Sequence, residues 1–537
     1  MASTAAAKEG GKEKFLVLPI LVLILAQMGT SGDNGALSLA ATALTTDLGA
    51  TVADIQLANM VYSLMAGAFM IAGGMMGTII GWKKNFRMGA LMCAAGEVVL
   101  AMAPNMAVFI WGGRTLVGFG ASFMIPSVLG LVPKIYHGKN RVLAFGCIGA
   151  ASGLSALLPL LLSIVLMSFG MRVTFFVLAA YFAIVFLLSF KLPEIEQNDG
   201  KLKFDGIGVA LAALGLFLFL VGVSRISAWG LIEPFAACPF TIFGISPCLP
   251  MAVLGLVILA VMVKVEKGVE EKNGFALLPQ SFLKTPQVLA GLAASAITFF
   301  FMGVQSILMA PYLQLVAGWS PAIVGVLSIV VGIPTFAFSI GIPKWLPNAS
   351  PRRVIEVGYI VLAAALAVMA FSVTLDSASL PGIVVGCILA GSGAGIVSAQ
   401  ANNVVALAVN ERDAAQSGGI QTTMRNVGQA IGIALLGAVL LFGITNNVID
   451  GAKNDDRISE ATVEAISERN IDLTSDDAFR ASIEDIEMSD SERDALVEVN
   501  AEARFNSPRF AYGVGAVIIL LGLLTTPAIK IFKKEEA

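Results

Sequence analysis

Apolar runs of about 20 residues, separated by short polar connections, recur along the chain from Phe15 almost to its end. As a helix, a run of that length crosses a hydrocarbon layer ~30 Å thick. The pattern predicts fourteen spans, near 15–42, 56–80, 88–103, 107–131, 142–168, 173–191, 205–224, 248–265, 286–316, 321–342, 354–375, 381–409, 416–445 and 510–532. The fold class expected is therefore an all-α integral membrane protein. An even count puts both ends of the chain on the same side. Residues 1–14 are short, polar and basic, and the apolar run that follows continues through Ala40 without a convincing cleavage site. A retained first helix is expected rather than a secretory leader.

Composition agrees with this pattern. The 537 residues are 57% apolar and 13% charged, about half the roughly 25% charge of an average soluble domain. Basic residues collect on alternate connections: Lys8, Lys12 and Lys14, then Lys83, Lys84 and Arg87, then Lys134, Lys139 and Arg141. The series continues through Lys191, Lys201, Lys203, Lys264, Lys267, Lys344, Arg352 and Arg353 to Lys530, Lys533 and Lys534. Of the opposite connections, few basic residues stand out besides Arg172 and Arg225. The positive-inside tendency then places both termini in the cytoplasm.

The net charge of −3 hides an asymmetry: residues 450–508 hold 17 acids and 6 bases, a balance of −11 that leaves +8 elsewhere. This acidic stretch, within 446–508, falls outside between spans 13 and 14. Ile483, Ile486, Leu496 and Val499 recur in it at rough helical spacing, which predicts short amphipathic helices. It serves either as a solvated cap or as a field that draws cations toward an entrance.

Cys93, Cys147 and Cys387 lie in spans as small hydrophobes. Cys238 and Cys248 share one connection and could pair on an oxidising side. With His137 as the one histidine, no histidine-based metal site is available. No Gly-Lys-Ser/Thr phosphate loop is present, which argues against an ATP-driven pump. A membrane enzyme or sensor has no recognisable catalytic or signalling segment to rest on.

Ionisable groups inside spans are costly, about 2.5–3.5 kcal/mol on insertion scales, and point to function by default. Asp33 sits in the run Gly29-Thr30-Ser31-Gly32-Asp33-Asn34-Gly35 of span 1, whose small and polar residues suit a helix lining a cavity. A proton and a cationic substrate would contend there for one carboxylate; the alternative is a carboxyl hydrogen-bonded to a neighbouring helix. Glu97, amid apolar residues of span 3, must be neutral or paired, as a structural hydrogen bond or as a second proton site. Arg114 in span 4 needs a buried partner or a polar cavity, the alternative being a guanidinium held by backbone carbonyls. Arg425 in span 13 has Gln421, Thr422 and Asn426 nearby, which favours packing, and Glu356 reads as an interfacial partner of Arg352 and Arg353.

Span 9 offers Phe300, Met302, Gln305 and Tyr312, and span 12 offers Gln400 and Asn403 beyond a small-residue run. Aromatic and methionine surface beside sparse amides would suit a broad site for greasy molecules. The phenylalanines could equally face lipid, whereas hydrocarbon gives the amides no partner.

Several stretches resemble the major facilitator superfamily, and in particular its fourteen-span drug:proton antiporter branch. In span 4, Arg114, Gly118, Gly120, Ala121 and Pro126 are similar to its Arg-x-x-x-Gly signature. Gly138-Lys139-Asn140-Arg141 is similar to its basic turn before span 5. Tyr312-Leu313-Gln314, Gly318-Trp319-Ser320-Pro321, Gly325 and Pro334 resemble its spans 9 and 10. Ser417-Gly418, Arg425-Asn426-Val427-Gly428 and Gly432 resemble its span 13, and Asp33 stands where the branch has an acid.

Two places depart from the pattern. After span 2, Gly74, Gly77, Gly81, Lys83 and Lys84 are kept, but Thr78 and Ile79 replace an acid and an arginine. In span 5, the glycines around Pro159 are replaced in Leu158-Pro159-Leu160-Leu161-Leu162-Ser163; the proline can still kink the helix.

The resemblance implies two six-helix bundles with a midplane site between them. These would be residues 15–200 and, for spans 9–13, 285–445, with inserted helices in 201–270. Residues 1–14 would be a cytoplasmic tail, 446–508 an outer acidic loop, and 509–537 the last helix and tail. It further implies proton-coupled export of small amphipathic or cationic compounds, with Asp33, Arg114 and Glu97 as proton or substrate groups. Asn34, Phe300, Met302, Gln305, Tyr312, Gln400 and Asn403 would line the cavity, and Gly118, Pro159, Gly81 and Lys83 would serve gating or packing. No cofactor, metal or nucleic acid is implied. The partners are substrate, protons and the lipid bilayer, in a monomer of a bacterial-type inner membrane. The departures keep open a second reading, uptake or exchange of an organic anion recognised through Arg114 or Arg425.

Overall fold

A computed structural model describes residues 15–530, apart from 51, 156, 194–204, 235–237, 274, 275, 277, 376, 409, 410, 468–470, 472 and 474. The expected tails at 1–14 and 531–537 lie outside the described residues. Fourteen long helices order the chain: α1 (Val17–Leu39), α2 (Val52–Ile80), α3 (Trp82–Met102), α4 (Thr115–Ile135), α5 (Gly138–Leu154), α6 (Leu157–Leu188) and α7 (Gly206–Ser224). They continue as α8 (Cys248–Asn273), α9 (Pro286–Pro311), α10 (Pro321–Trp345), α11 (Pro351–Ser372), α12 (Leu380–Leu407), α13 (Glu411–Asn454) and α14 (Asp490–Leu521). Twelve spans among the described residues are long and apolar enough to cross a bilayer; α1 has a shorter apolar stretch, Val17–Asp33.

The fifth crossing is made in two pieces. It begins as α5, breaks at Ser155, and resumes in α6 beside Pro159. A proline near the start of a helical segment costs no hydrogen bond there. Gly170 then leaves the helix at φ +80°, and this turn separates the fifth crossing from the sixth.

Helices α1 to α6 pack into one bundle and α9 to α14 into another. Each has its own apolar core, the first holding Phe86, Phe109, Phe175 and Phe182, the second Phe301, Tyr359, Leu366 and Tyr512. Across the divide α5 meets α10 and α12, and α13 meets α2 and α4. The inserted pair, α7 and α8, pack on each other and against α2, with a smaller contact to α13. One face of α8 bears exposed Val253, Leu254, Leu256, Val257 and Val261. Surface of that kind, continued on the exposed Ile184 and Leu187 of α6, is stable against lipid and not against water.

Contacts between the bundles cluster toward the end that bears the Lys83 and Lys134 connections. Gly146 on α5 packs on the Ser339 carbonyl, and Gly149 faces Ser398. Gly418 lies against Pro126 and Leu129, and Gly419 against Gly74. A Cβ at Gly418 would stand 2.7 Å from the Pro126 carbonyl oxygen, so the small residue is what lets the two helices touch.

The acidic segment is built as folded structure. The 44-residue α13 is about 66 Å long, so it runs well past any hydrocarbon layer. Likewise α14 starts at Asp490, some five turns before the span predicted near 510. Polar sequence ends a membrane span without ending a helix, because helical hydrogen bonds need no lipid. Short helices Glu460–Ser467 and Asp476–Ser482 close the cap, whose Ile466, Phe479, Ile483, Leu496 and Val499 join the core of the second bundle. Arg504 is buried against Asp476 and Arg457 bridges Asp455 and Glu498. Ser489 and Glu492 form a capping box at the start of α14. Cys238 and Cys248 are separate free thiols.

Candidate functional site

Small residues draw three helices of the first bundle close together. Gly96 of α3 packs on Val117, Gly113 on Leu100, and Gly118 of α4 on the Tyr62 backbone of α2. The chain enters α4 through a π-helical stretch, Val108–Arg114, whose wider turns re-aim a side chain and are common at functional sites. Its last residue is Arg114. On the other flank, Gly29 and Gly32 of α1 seat against Phe182 and Leu158 of α6, which brings Asp33 inward.

The outcome is a closed ion pair. Arg114 Nη1 donates to Asp33 Oδ2 at 2.7 Å, and both side chains are fully buried. Arg114 Nε donates to the Ala58 carbonyl at 3.3 Å, and its guanidinium lies 4.7 Å from the Tyr62 ring centroid. Tyr62 in turn donates its hydroxyl to the Thr30 carbonyl of α1 at 3.0 Å. Glu97 is also fully buried and lies in the electrostatic field of both Asp33 and Arg114. Asp33 Oδ1 and both Glu97 oxygens receive no donor among the described residues.

Two carboxylates and one guanidinium would carry a net −1 in a buried site. A single proton on the pair of acids would make the set neutral. Asp33, Glu97 and Arg114, far apart in sequence, are thus brought together. Ala58 and Tyr62 complete the set and were not singled out from the sequence; Tyr62 as a lone tyrosine in an apolar span was the available signal.

The remaining candidates separate into groups. Tyr312 spends its hydroxyl on the carbonyls of Thr374 and Ser377, a clamp within its own bundle. Phe300 is buried and its backbone receives Gly432 of α13, so it does not face lipid. Met302 and Gln305 are half-buried, and Gln305 makes a long contact to the Met309 sulfur. Gln400 and Asn403 are buried and bond each other at 3.5 Å. The side chain of Asn34 lies outside the described residues.

Gly81 takes φ +95° at the start of α3, where it lets Trp82 turn back over Gly77 and Gly130. Lys83 donates to the Leu192 carbonyl at 2.7 Å, tying this connection to the end of α6. Thr78 bonds the Met75 carbonyl of its own helix. The clamp between α2 and α4 is made instead by buried Asn85, whose amide reaches Gly73 O, Phe123 O and Ser127 Oγ. A neutral amide thus joins the helices where the familiar pattern has charges.

A second polar cluster occupies the other bundle. Arg425 Nη2 donates to Asn402 Oδ1 at 2.8 Å, and its guanidinium lies 5.2 Å from the Phe299 ring centroid. Gln421 bonds Ser417 at 2.8 Å, and Gln287 bonds the Val404 carbonyl at 3.2 Å. Glu356 is held by Arg352 and Thr526 near the start of α11.

Among known proteins, the chain is 28% identical over 435 residues to a probable actinorhodin transporter of Streptomyces coelicolor, covering 78% of this chain and 72% of that one. It is 24% identical over 436 residues to the tetracenomycin C resistance and export protein of Streptomyces glaucescens, at 78% and 75% coverage. It is 21% identical to the multidrug efflux pump LfrA of Mycolicibacterium smegmatis, with 81% of each chain covered. The human organic anion transporter MFSD10 matches the fold at a TM-score of 0.58 and 13% identity, over 95% of this chain and 98% of that one. The proton:xylose symporter XylE matches it at 0.58 and 12%, over 94% of each. The profile of the Major Facilitator Superfamily spans residues 23–433, the greater part of a chain built from two packed helical bundles, and the protein is a multi-pass transporter belonging to that superfamily.

Proposed function

We propose that this transporter exports small amphipathic compounds across a bacterial inner membrane in exchange for protons, by alternating access between its two bundles. The observation that carries the reading is the buried group of Asp33, Arg114 and Glu97, which is neutral only when it holds one proton. Releasing that proton leaves an excess negative charge beside Arg114. Such a state is tolerated only when water or a substrate's positive end reaches the site. Proton and substrate therefore exclude each other, which is the requirement for exchange.

Arg114 also ties α1, α2 and α4 together through Asp33, Ala58 and Tyr62, so a change of charge at the acids is felt by three helices at once. The drug-export relatives support the direction of transport. The basic connections at Lys83, Lys84, Lys134 and Lys139 support a cytoplasmic position for both termini, with the acidic cap outside. The protein works as a monomer, with residues 15–200 and 285–445 as the moving halves.

The test is proton movement in everted vesicles with an imposed gradient, comparing the parent with Asp33→Asn. A lipophilic cation such as tetraphenylphosphonium should collapse the gradient with the parent and not with the variant. Collapse that persists in Asp33→Asn would remove the acid from the mechanism. If an anion shifts protons while no cation does, export of cationic compounds fails as the reading.

A further inference from the structure

Arg425 is a buried cation whose charge is not balanced among the described residues. It is 7% exposed, and among the described residues no carboxylate forms a salt bridge with it. Among the described residues one of its five N–H donors is used, on Asn402. Asn402 is itself fully buried and its Nδ2 has no acceptor. Since Oδ1 of that amide takes the guanidinium hydrogen, Nδ2 is held close by, as a second donor without a partner. Phe299 covers one flank of the guanidinium. A cation, an idle amide donor and an aromatic surface together describe a receptor for an anionic oxygen on a flat ring.

The cluster faces the other bundle. Gly418, seven residues before Arg425, packs on Pro126 of α4, and seven residues return a helix to nearly the same face. The next residue, Asn426, reaches Gly67 of α2. Arg425 lies about 10 Å along α13 from the Gly418 contact, and Arg114 lies about 18 Å along α4 from Pro126 on the same side. The two arginines thus stand about 8 Å apart in level, Arg114 in the first bundle bonded to Asp33 and Arg425 in the second bonded to Asn402.

We infer that Arg425 and Asn402 bind the carboxylate or phenolate of a planar aromatic compound, making acidic aromatic molecules a substrate class of this protein. The inference rests on the transport reading above for its role, but the binding itself does not depend on proton exchange. A salt bridge to Arg425 supplies the absent counter-charge, Asn402 Nδ2 donates to the same oxygen, and the ring lies beside Phe299.

The test uses the purified full-length protein in lipid nanodiscs, titrated calorimetrically with 1-naphthoate, its methyl ester and acetate. Saturable binding of naphthoate, weaker binding of the ester, and little competition by acetate or chloride at equal concentration are expected. Arg425→Gln should weaken naphthoate by roughly 30-fold and leave the ester unchanged, while Arg425→Lys should fall between. If Arg425→Gln does not yield monodisperse protein, Asn402→Leu should weaken naphthoate several-fold relative to the ester. Naphthoate binding no tighter than the ester, or unaffected by these variants, overturns the site. Equal competition by acetate or chloride overturns the aromatic part. Because the protein is not cycling in this assay, failure of proton-coupled export would show only in the vesicle experiment, and failure of the anion site only here.

Discussion

If Asp33 and Glu97 share a proton beside Arg114, their removal cannot be additive. In Glu97→Gln the amide replaces a group that already carries a proton, Asp33 continues to balance Arg114, and the cost is under about 1 kcal/mol. In Asp33→Asn the 2.7 Å bond loses its negative partner, but Glu97 can give up its proton and become the counter-charge. That exchange costs about 1–2 kcal/mol. The double variant has neither Asp33 nor Glu97 to offset the charge of Arg114, which is fully buried, and losing that counter-charge is destabilising by about 3–5 kcal/mol. The double variant should therefore exceed the sum of the singles by about 2 kcal/mol. Reversible unfolding in mixed micelles, read by far-ultraviolet circular dichroism, measures each leg of the cycle. Additivity within about 0.5 kcal/mol would mean that the two acids do not share Arg114, and the shared-proton argument would fall with it.

Other expectations follow from the packing. Gly418→Leu places side-chain atoms against the Pro126 carbonyl and Leu129, so the bundles should stay apart at that end; transport should fall at least about tenfold while cysteine labelling there rises. Unchanged labelling would show that this contact does not close the pathway. Phe175→Ala removes a fully buried ring that meets Phe109 edge-on at 5.4 Å and should cost about 3–5 kcal/mol, seen as a lowered unfolding midpoint. In the cap, hydrogen bonds from Arg457 hold the Asp455 carboxyl at about 2, and those from Ser489 and Ser459 hold Glu492 at about 2. Both folded values lie below the unfolded ones near 4, so their stabilisation is complete above about pH 4 and is lost as pH falls toward 2. Protease cleavage within 455–498 should rise between pH 4 and 2.5 and be flat from 5 to 7; a rise already at pH 6 would rule this out.

The crossings were legible in the chain because hydrocarbon imposes length and apolarity on each of them, and both survive in linear sequence. The acid in α1, the acid in α3 and the arginine in α4 were visible for the same reason: an ionisable residue in an apolar run stands out without any knowledge of its neighbours. The break of the fifth crossing was legible through Pro159, whereas the role of Gly170 was not, since a glycine's backbone angle is not written in its surroundings. The helical extensions of α13 and α14 beyond the membrane were hidden, because hydropathy marks where lipid ends and says nothing of where hydrogen bonding stops.

Only the tertiary structure decided which of these groups meet. Asp33 and Arg114 are 81 positions apart, and their contact depends on Gly32, Gly96 and Gly118 letting helices approach, which no local pattern encodes. The same packing assigned Tyr312 to a clamp within its bundle and made Asn85 the neutral joint in place of the missing charges. It also set Arg425 against an amide, with no acid bonded to it among the described residues. Sequence by itself determined that charges would be buried in this membrane protein, because their cost there is a property of each residue. Which charge is balanced, and by what, is a property of pairs, and pairs exist only once the helices have packed.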